Sequence, residues 1–256
     1  ATAARDRRAE LADGLSRLLA RLRDGPRHIA VVGDAAERAE VLTAVRSAWP
    51  AAARTAGTGL AAQLPQPVAS QAWTTATAVS YNAEVFATVP LGHDDAAALA
   101  VAAQMLGHGY LHPKVREQGG AYGGNAGINH HTGVFALTSY RDPRLAETFT
   151  DFRSGRAWLA DIPDDERPLR EAILATIAAV DSPASPAGEA KARFCADLKD
   201  SGPERLNRFR TQVLAVTPAD VRRVAQRWLS GEGSRATLTS SDLIAVSGLG
   251  WDAVAL

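Results

Sequence analysis

Leu11, Leu15, Leu18, Leu19 and Leu22 recur at helical spacing, and Gly25-Pro26 ends the run. The apolar stretch His28–Gly33 then predicts a short strand. Asp34 can cap a second helix that reaches about Trp49, with Val41, Leu42 and Val45 on its buried side. One strand between two helices cannot close a core. Residues 1–50 therefore read as the tail of a domain whose other strands lie upstream, or as an annex of the next domain. Residues 51–70, rich in Pro, Ala, Gly, Thr and Gln without a sustained period, read as a connector.

Residues 71–256 read as a second domain. From Gln71 to Pro90 the pattern turns to strand, with Trp73, Val79, Tyr81, Val85, Phe86 and Val89 set among Thr and Ala. Asp94-Asp95 offers acidic capping for a small-residue helix ending near Gly107. A glycine-rich patch spans Gly119 to Gly127, and Gly133–Tyr140 is a second strong strand. There Val134, Ala136 and Thr138 alternate with Phe135, Leu137 and Ser139, so one side takes the larger apolar groups. Asp142-Pro143, Ser185-Pro186 and Thr217-Pro218 each place a capping side chain before a proline at the first helical position. The last long helix sets Val221, Val224, Ala225 and Trp228 on one face. Arg235–Thr239 is a closing strand before a short tail. Strands precede helices, which predicts an α+β fold: one largely antiparallel sheet with helices packed on one face. The strands around Trp73–Val89, Ala121–Ala126 and Val134–Tyr140 should share that sheet.

Composition narrows the partners. The chain has 28 basic and 28 acidic residues, so no net field draws it to nucleic acid or membrane. No apolar run approaches the roughly 18 residues that a membrane span requires. There are 52 alanines, and 25 of the 28 basic residues are arginine, the mark of a GC-rich genome. That bias looks bacterial, and the compartment stays open, since the scarcity of cysteine fits cytoplasm and periplasm alike. One cysteine, Cys195, excludes an intramolecular disulfide framework and any multi-cysteine zinc site, and its place in a predicted helix suits a small buried apolar group. The chain opens Ala-Thr-Ala-Ala-Arg, with neither an initiator Met nor a signal peptide, and so reads as a piece of a longer protein.

Candidate chemistry is sparse. His108 and His112 lie four apart, but Gly109 and Leu111 stand where a zinc-peptidase helix needs its glutamate, and Gly107 and Gly109 argue against a continuous helix. His130-His131 read as a polar hairpin tip whose side chains point to opposite faces. Gly119, Gly120, Gly123 and Gly124 lack the Gly-Lys-Ser/Thr ending of a phosphate loop and the spacing of a dinucleotide fingerprint. They permit unusual torsions and the close approach of another backbone, a peptide substrate being one such neighbour and a bulged edge strand the plainer reading. Arg205, Arg208, Arg210, Arg222, Arg223 and Arg227 gather positive charge that either faces solvent or lines a peptide-accepting surface.

Taken as a block, Arg116-Glu-Gln-Gly-Gly-Ala-Tyr-Gly-Gly124 with Ser139-Tyr-Arg-Asp-Pro143 after it resembles the presequence-protease branch of the pitrilysin/insulinase-type zinc peptidases. The resemblance is to the last of four related domains. It implies that residues 1–50 end the third domain and residues 71–256 form the fourth. In that family an inverted His-x-x-Glu-His motif in the first domain holds the zinc, and no such motif occurs here. The implied cofactor arrangement is thus none on this chain and zinc in the missing N-terminal half, which becomes a partner together with peptide substrates. The resemblance further implies that Arg116 and Tyr122 reach across a closed chamber to the substrate, with Gly119, Gly120, Gly123 and Gly124 beside it. A guanidinium grips a carbonyl or carboxylate with paired bonds, and a phenol donates to a developing oxyanion.

The implied whole is a metalloendopeptidase that degrades unstructured peptides, of which this piece alone is inactive. The alternative is a relative that kept the fold as a structural or partner-binding subunit after losing the zinc motif. An independent α+β binding module fits less well with the incomplete start of the chain. The isolated chain is expected to fold without catalytic zinc, because no histidine pair has acidic partners at ligand spacing. Metal analysis after mild chelation checks this, and stoichiometric zinc would refute it.

Overall fold

The computed structural model describes residues 7–25, 28–49, 68–199 and 201–255. They divide into two units, residues 1–60 with 184–195 and residues 61–183 with 196–256. In the first, α1 (Arg8–Asp24) and α2 (Ala35–Ala48) form as the leucine and capping patterns require. The Asp34 carboxylate accepts from the Ala36 and Glu37 amides, both at 2.9 Å. The strand expected over His28–Gly33 does not form, since a strand needs a neighbour to take its backbone bonds and no described strand pairs with it. The expected buried side of α2 is also corrected. Val41 is exposed, Leu42 and Val45 are half-buried, and the five leucines of α1 are each more than half exposed. Most of the connector lies outside the described residues.

The second unit runs β1 (Ser70–Thr74), β2 (Ser80–Ala87), α3 (Ala96–Leu106), a π-helix (Gly107–Gln118), β3 (Gly123–Asn129), β4 (Val134–Asp142), α4 (Ala146–Ala160) and α5 (Glu166–Val180). Next come α6 (Pro186–Leu198), of which residues 186–195 belong to the first unit and 196–198 to the second, α7 (Pro203–Leu214), α8 (Pro218–Trp228), β5 (Ser234–Thr239), α9 (Ser241–Val246) and β6 (Asp252–Ala255). The six described strands form one sheet in the order β3-β4-β2-β5-β1-β6. Three neighbouring pairs are antiparallel, while β1 runs parallel to both β5 and β6. The largely antiparallel α+β sheet is therefore present, with a parallel edge that the sequence did not announce. The segment Trp73–Val89 supplies two strands that are not neighbours, because β5 lies between them. The expected tail instead folds as α9 and β6.

Period-2 alternation decides the faces. Phe135, Leu137 and Ser139 are buried toward the helices, while Val134, Ala136 and Thr138 face the open side. Phe86 and Ala126 join the buried face. Against it lies α3, ten of whose eleven residues are buried because neighbours surround it: α4, α5, α7 and α8, the π-helix and β3 all touch it. Its alanines let those neighbours approach closely.

Three proline devices behave differently. Thr217 closes a full capping box with Asp220, and the Ser185 hydroxyl accepts from the Gly188 amide. Asp142 does not cap α4, which starts at Ala146 after Leu145. Asp95 likewise makes no cap. Its carboxylate, 4% exposed, instead takes Arg223, Arg227 and the Trp228 indole N–H, tying the start of α3 to α8, and these partners hold its pKa below the usual carboxylate value against the opposing effect of burial. A second buried clamp joins Arg156 of α4 to the carbonyls of Leu229 and Gly231 and, at 3.4 Å, to Glu84 of β2. Burial raises the Glu84 pKa, opposed by Arg156.

His130, at the β3–β4 turn, is less polar in its surroundings than a hairpin tip suggests. Its ring packs edge-on against Phe209 at 4.9 Å, and its Nδ1 has no hydrogen-bond partner. Burial, aided by His131, lowers its pKa from 6.5 to about 4. Between those values the unfolded chain binds the proton and the folded chain does not, so stability falls as pH drops through that window. His130→Leu should flatten this loss. Urea unfolding at pH 7, 5.5 and 4.5 checks it; equal pH slopes for both proteins would refute it.

Candidate functional site

The expected helix end near Gly107 is a change of pitch. The α-helix continues as the π-helix through Gln118, despite two glycines and Pro113. Packing explains why. A side chain on Gly107 would come within 3.1 Å of the Asn125 Oδ1, and one on Gly109 within 3.1 Å of the Trp158 ring. Both glycines therefore let the helix lie close against β3 and α4, which outweighs their poor helix propensity. Leu111 and Val115 anchor its inner side, leaving Arg116, Glu117 and Gln118 exposed at its end. His108 meets the Gln104 carbonyl, and His112 meets Glu117 at 3.2 Å.

The chain then turns sharply into β3. Gly119 and Gly120 both donate to the Arg116 carbonyl, Ala121 donates to that of Val115, and Tyr122 to that of Tyr140. Gly120 has a φ of +79°, a conformation that glycine adopts without steric cost. This turn brings Arg116 and Tyr122 together. The guanidinium carbon stands 5.8 Å from the centre of the Tyr122 ring, both side chains are exposed, and Tyr122 is 67% accessible. Tyr122 packs edge-on against Tyr140 at 5.8 Å, and Tyr140 against Tyr81 at 5.3 Å. The tyrosine row borders an open groove of about 480 Å³ on the helix-free face of the sheet, lined also by Trp73, Ala83, Thr138 and Leu238.

The four glycines differ in their surroundings. Gly123 has open space where a side chain would stand. Gly124 does not: a Cβ there would lie 2.7 Å from that of Val115. A methyl on Gly119 would overlap the Arg144 guanidinium and crowd the Val115 carbonyl at 2.6 Å.

Arg144 itself was not legible as part of this region. Its placement begins with a bulge: Ser80 pairs with Asp142 and Asn82 with Ser139, so β4 carries one extra residue. Arg141 has the left-handed φ of +50°. The bulge turns Asp142 inward, where it accepts from the Arg144 amide at 3.0 Å and the Thr148 hydroxyl at 2.6 Å. Ser-Tyr-Arg-Asp-Pro had the look of a helix cap, and no spacing rule distinguishes the two. Tyr140, by contrast, could have been placed on the open face from its alternation with Thr138.

Among the described residues no group of three or more His, Cys, Asp or Glu could hold a metal ion. Cys195 is a half-buried free thiol, less enclosed than expected. Of the C-terminal arginines, Arg210 pairs with Asp181, Arg222 with Asp164, and Arg223 and Arg227 with Asp95. Their charge is engaged within the fold.

Residues 72–234 match the family model described as the PreP C-terminal domain. The chain is 40% identical over 151 residues to the mitochondrial presequence protease of Emericella nidulans, covering 59% of this chain and 14% of that protein. It is 39% identical over 152 residues to that of Saccharomyces cerevisiae (59% and 15%) and 34% over 160 residues to that of Xenopus laevis (62% and 15%). It therefore spans about a seventh of the length of these relatives. The fold is shared with a protease from Helicobacter pylori, at TM-score 0.64 and 14% identity over 81% of this chain and 53% of that one. It is also shared with pitrilysin, at 0.55 and 16% over 86% and 25%. The bacterial cytoplasmic or periplasmic setting expected from composition is overturned, since these presequence-protease relatives, from fungi and a vertebrate, are all named mitochondrial. Alanine and arginine usage follows genomic base composition and carries no information about compartment. With the family model covering well over half of the sequence, the chain belongs to the PreP C-terminal domain family.

Proposed function

We propose that this chain is the C-terminal, non-zinc-binding region of a zinc oligopeptidase that degrades unstructured peptides inside a closed chamber. Residues 1–50 are the tail of the preceding domain, and residues 71–256 form the last domain. Arg116 binds the substrate backbone or a carboxylate, and Tyr122 donates its hydroxyl to the oxyanion that forms when water attacks the peptide carbonyl. The observation that carries this reading is the exposed pairing of Arg116 and Tyr122 on a turn whose backbone is fixed by four hydrogen bonds. A packing role would bury the tyrosine, and a structural ion pair would bring a carboxylate to the arginine. The zinc and the water-activating glutamate belong to the N-terminal half, which is the necessary partner.

The glycines divide accordingly. Gly123 leaves room for a substrate backbone, and Gly120 makes the turn, whereas Gly119 and Gly124 serve the substrate indirectly by letting the turn pack closely. Gly123→Ala should therefore weaken peptide binding while changing stability by no more than about 0.5 kcal/mol. Gly124→Ala should cost about 1–3 kcal/mol through overpacking against Val115. Thermal unfolding of the two variants checks the contrast, and equal losses would refute it.

In the full-length parent, Tyr122→Phe keeps the ring and removes only the donor. Turnover should fall about a hundred- to a thousand-fold, equivalent to roughly 3–4 kcal/mol, with little change in peptide affinity. Arg116→Ala should reduce both affinity and turnover, because a carbonyl grip acts in the ground state as well. Steady-state and binding measurements on the parent decide the matter. Wild-type turnover by Tyr122→Phe would leave Tyr122 a surface residue and favour the alternative, a structural or partner-binding relative.

A further inference from the structure

No hydrogen bond, ion pair or ring contact joins Arg144 to Arg116 or Tyr122, yet it is lodged beneath the turn that joins them. Its guanidinium occupies the space beside Gly119 where any other residue would place a Cβ. From there Nη2 donates to the Lys114 carbonyl at 3.5 Å, near the C-terminal end of the π-helix, where the helix dipole favours a cation. The same Nη2 stands 3.0 Å from the Asp151 carboxylate of α4, and Nε stands 3.7 Å from Asp142. The backbone of Arg144 is held too: its amide donates to Asp142, and its carbonyl accepts from the buried Asn82 side chain at 3.5 Å. One largely buried side chain thus connects the end of β4, the first half of α4 and the last turn of the π-helix. Arg116 lies on that last turn, and Tyr122 lies three residues beyond Gly119.

We propose that Arg144 is a positioning residue for the Arg116–Tyr122 pair. It fixes the height of the Gly119–Gly120 turn and with it the spacing between guanidinium and phenol, without contacting substrate. Gly119 is its complement, the one residue type that leaves room for the guanidinium. This inference rests on the role proposed above for Arg116 and Tyr122, but the packing beneath the turn can be tested separately.

The test uses the full-length parent enzyme carrying Arg144→Ala, Arg144→Lys, Tyr122→Phe, and Arg144→Ala combined with Tyr122→Phe. Hydrogen exchange of the turn amides is followed in each protein. Arg144→Ala should lower kcat about ten- to a hundred-fold, the scale of a misplaced catalytic group, while KM changes less than about threefold. Arg144→Lys retains the charge without the planar fork and should recover part of the loss. If Arg144 acts through Tyr122, adding Arg144→Ala to Tyr122→Phe should cost less than about a further twofold, because the two effects are not independent. Amides 119–122 should exchange faster in Arg144→Ala, while those of β2 and β4 stay protected. Loss of protection across the whole sheet would make Arg144 a general stability residue and overturn the proposal. So would full additivity with Tyr122→Phe, or wild-type kcat in Arg144→Ala. If Tyr122→Phe itself turns over at the wild-type rate, the functional reading fails; unchanged exchange at 119–122 in Arg144→Ala would then defeat the positioning claim on its own.

Discussion

The Asp142 carboxylate has no exposure to water, and the region around the exposed pair depends on how it is satisfied. A buried carboxylate without donors is costly, so the fold must deliver them. One comes from the Arg144 amide, one from the Thr148 hydroxyl, and the Arg144 guanidinium approaches at 3.7 Å. Meeting that demand fixes the bulge at Arg141, the route of the chain into α4 and the seat of Arg144 under the π-helix. Alongside it runs a strip of buried polar contacts between strands: Ser80 with Thr239, and Asn82 with both Ser139 and Thr237. These side chains lie on the helix-facing side of the sheet, where small apolar residues would pack as well. Their directional bonds fix register at the end of the sheet that carries the turn, where a slip would move every side chain to the other face.

Elsewhere the helix layer is secured by charges pointed inward. Asp95 connects the first turn of α3 to α8, and Arg156 connects α4 to β2 and to the loop after α8. Such contacts contribute modestly to net stability, because desolvation offsets much of the attraction. What they contribute is direction. A helix as rich in alanine as α3 packs against its neighbours with little to define its rotation or its height. The Asp95 contacts supply that definition at its N-terminal end, and the π-helix supplies it at the other.

The fold was largely legible because most of its elements obey simple periods. The β4 alternation, the Thr217 cap before Pro218 and the Val221–Val224–Ala225 face were all readable from spacing. Legibility failed where a distant partner overruled a local signal. Asp95 has the sequence of a helix cap, yet its carboxylate takes Arg223, Arg227 and Trp228 of α8 instead. Gly107 and Gly109 signal a break, yet Asn125 and Trp158 make glycine the residue that fits a continuing helix. His28–Gly33 has the composition of a strand, but no described strand takes up its backbone bonds. The Arg116–Tyr122 block was visible as a motif. Arg144, which underlies it, was not, because its contacts span 30 residues of chain to Lys114 and no pattern announces them.

The physical character of the exposed pair follows from this division between rigid support and open surface. Tyr122 is two-thirds accessible, yet its amide is bonded to Tyr140 and its ring rests on a row of two further tyrosines. Arg116 stands on the last turn of a helix whose inner face is fully buried at Leu111 and Val115. Ordering a free arginine or tyrosine side chain on a partner costs rotamer entropy. A backbone already immobile reduces what remains to be ordered to the side chains alone. One donor and one cation thus face outward from a hydrogen-bonded turn, beside the groove on the helix-free face of the sheet.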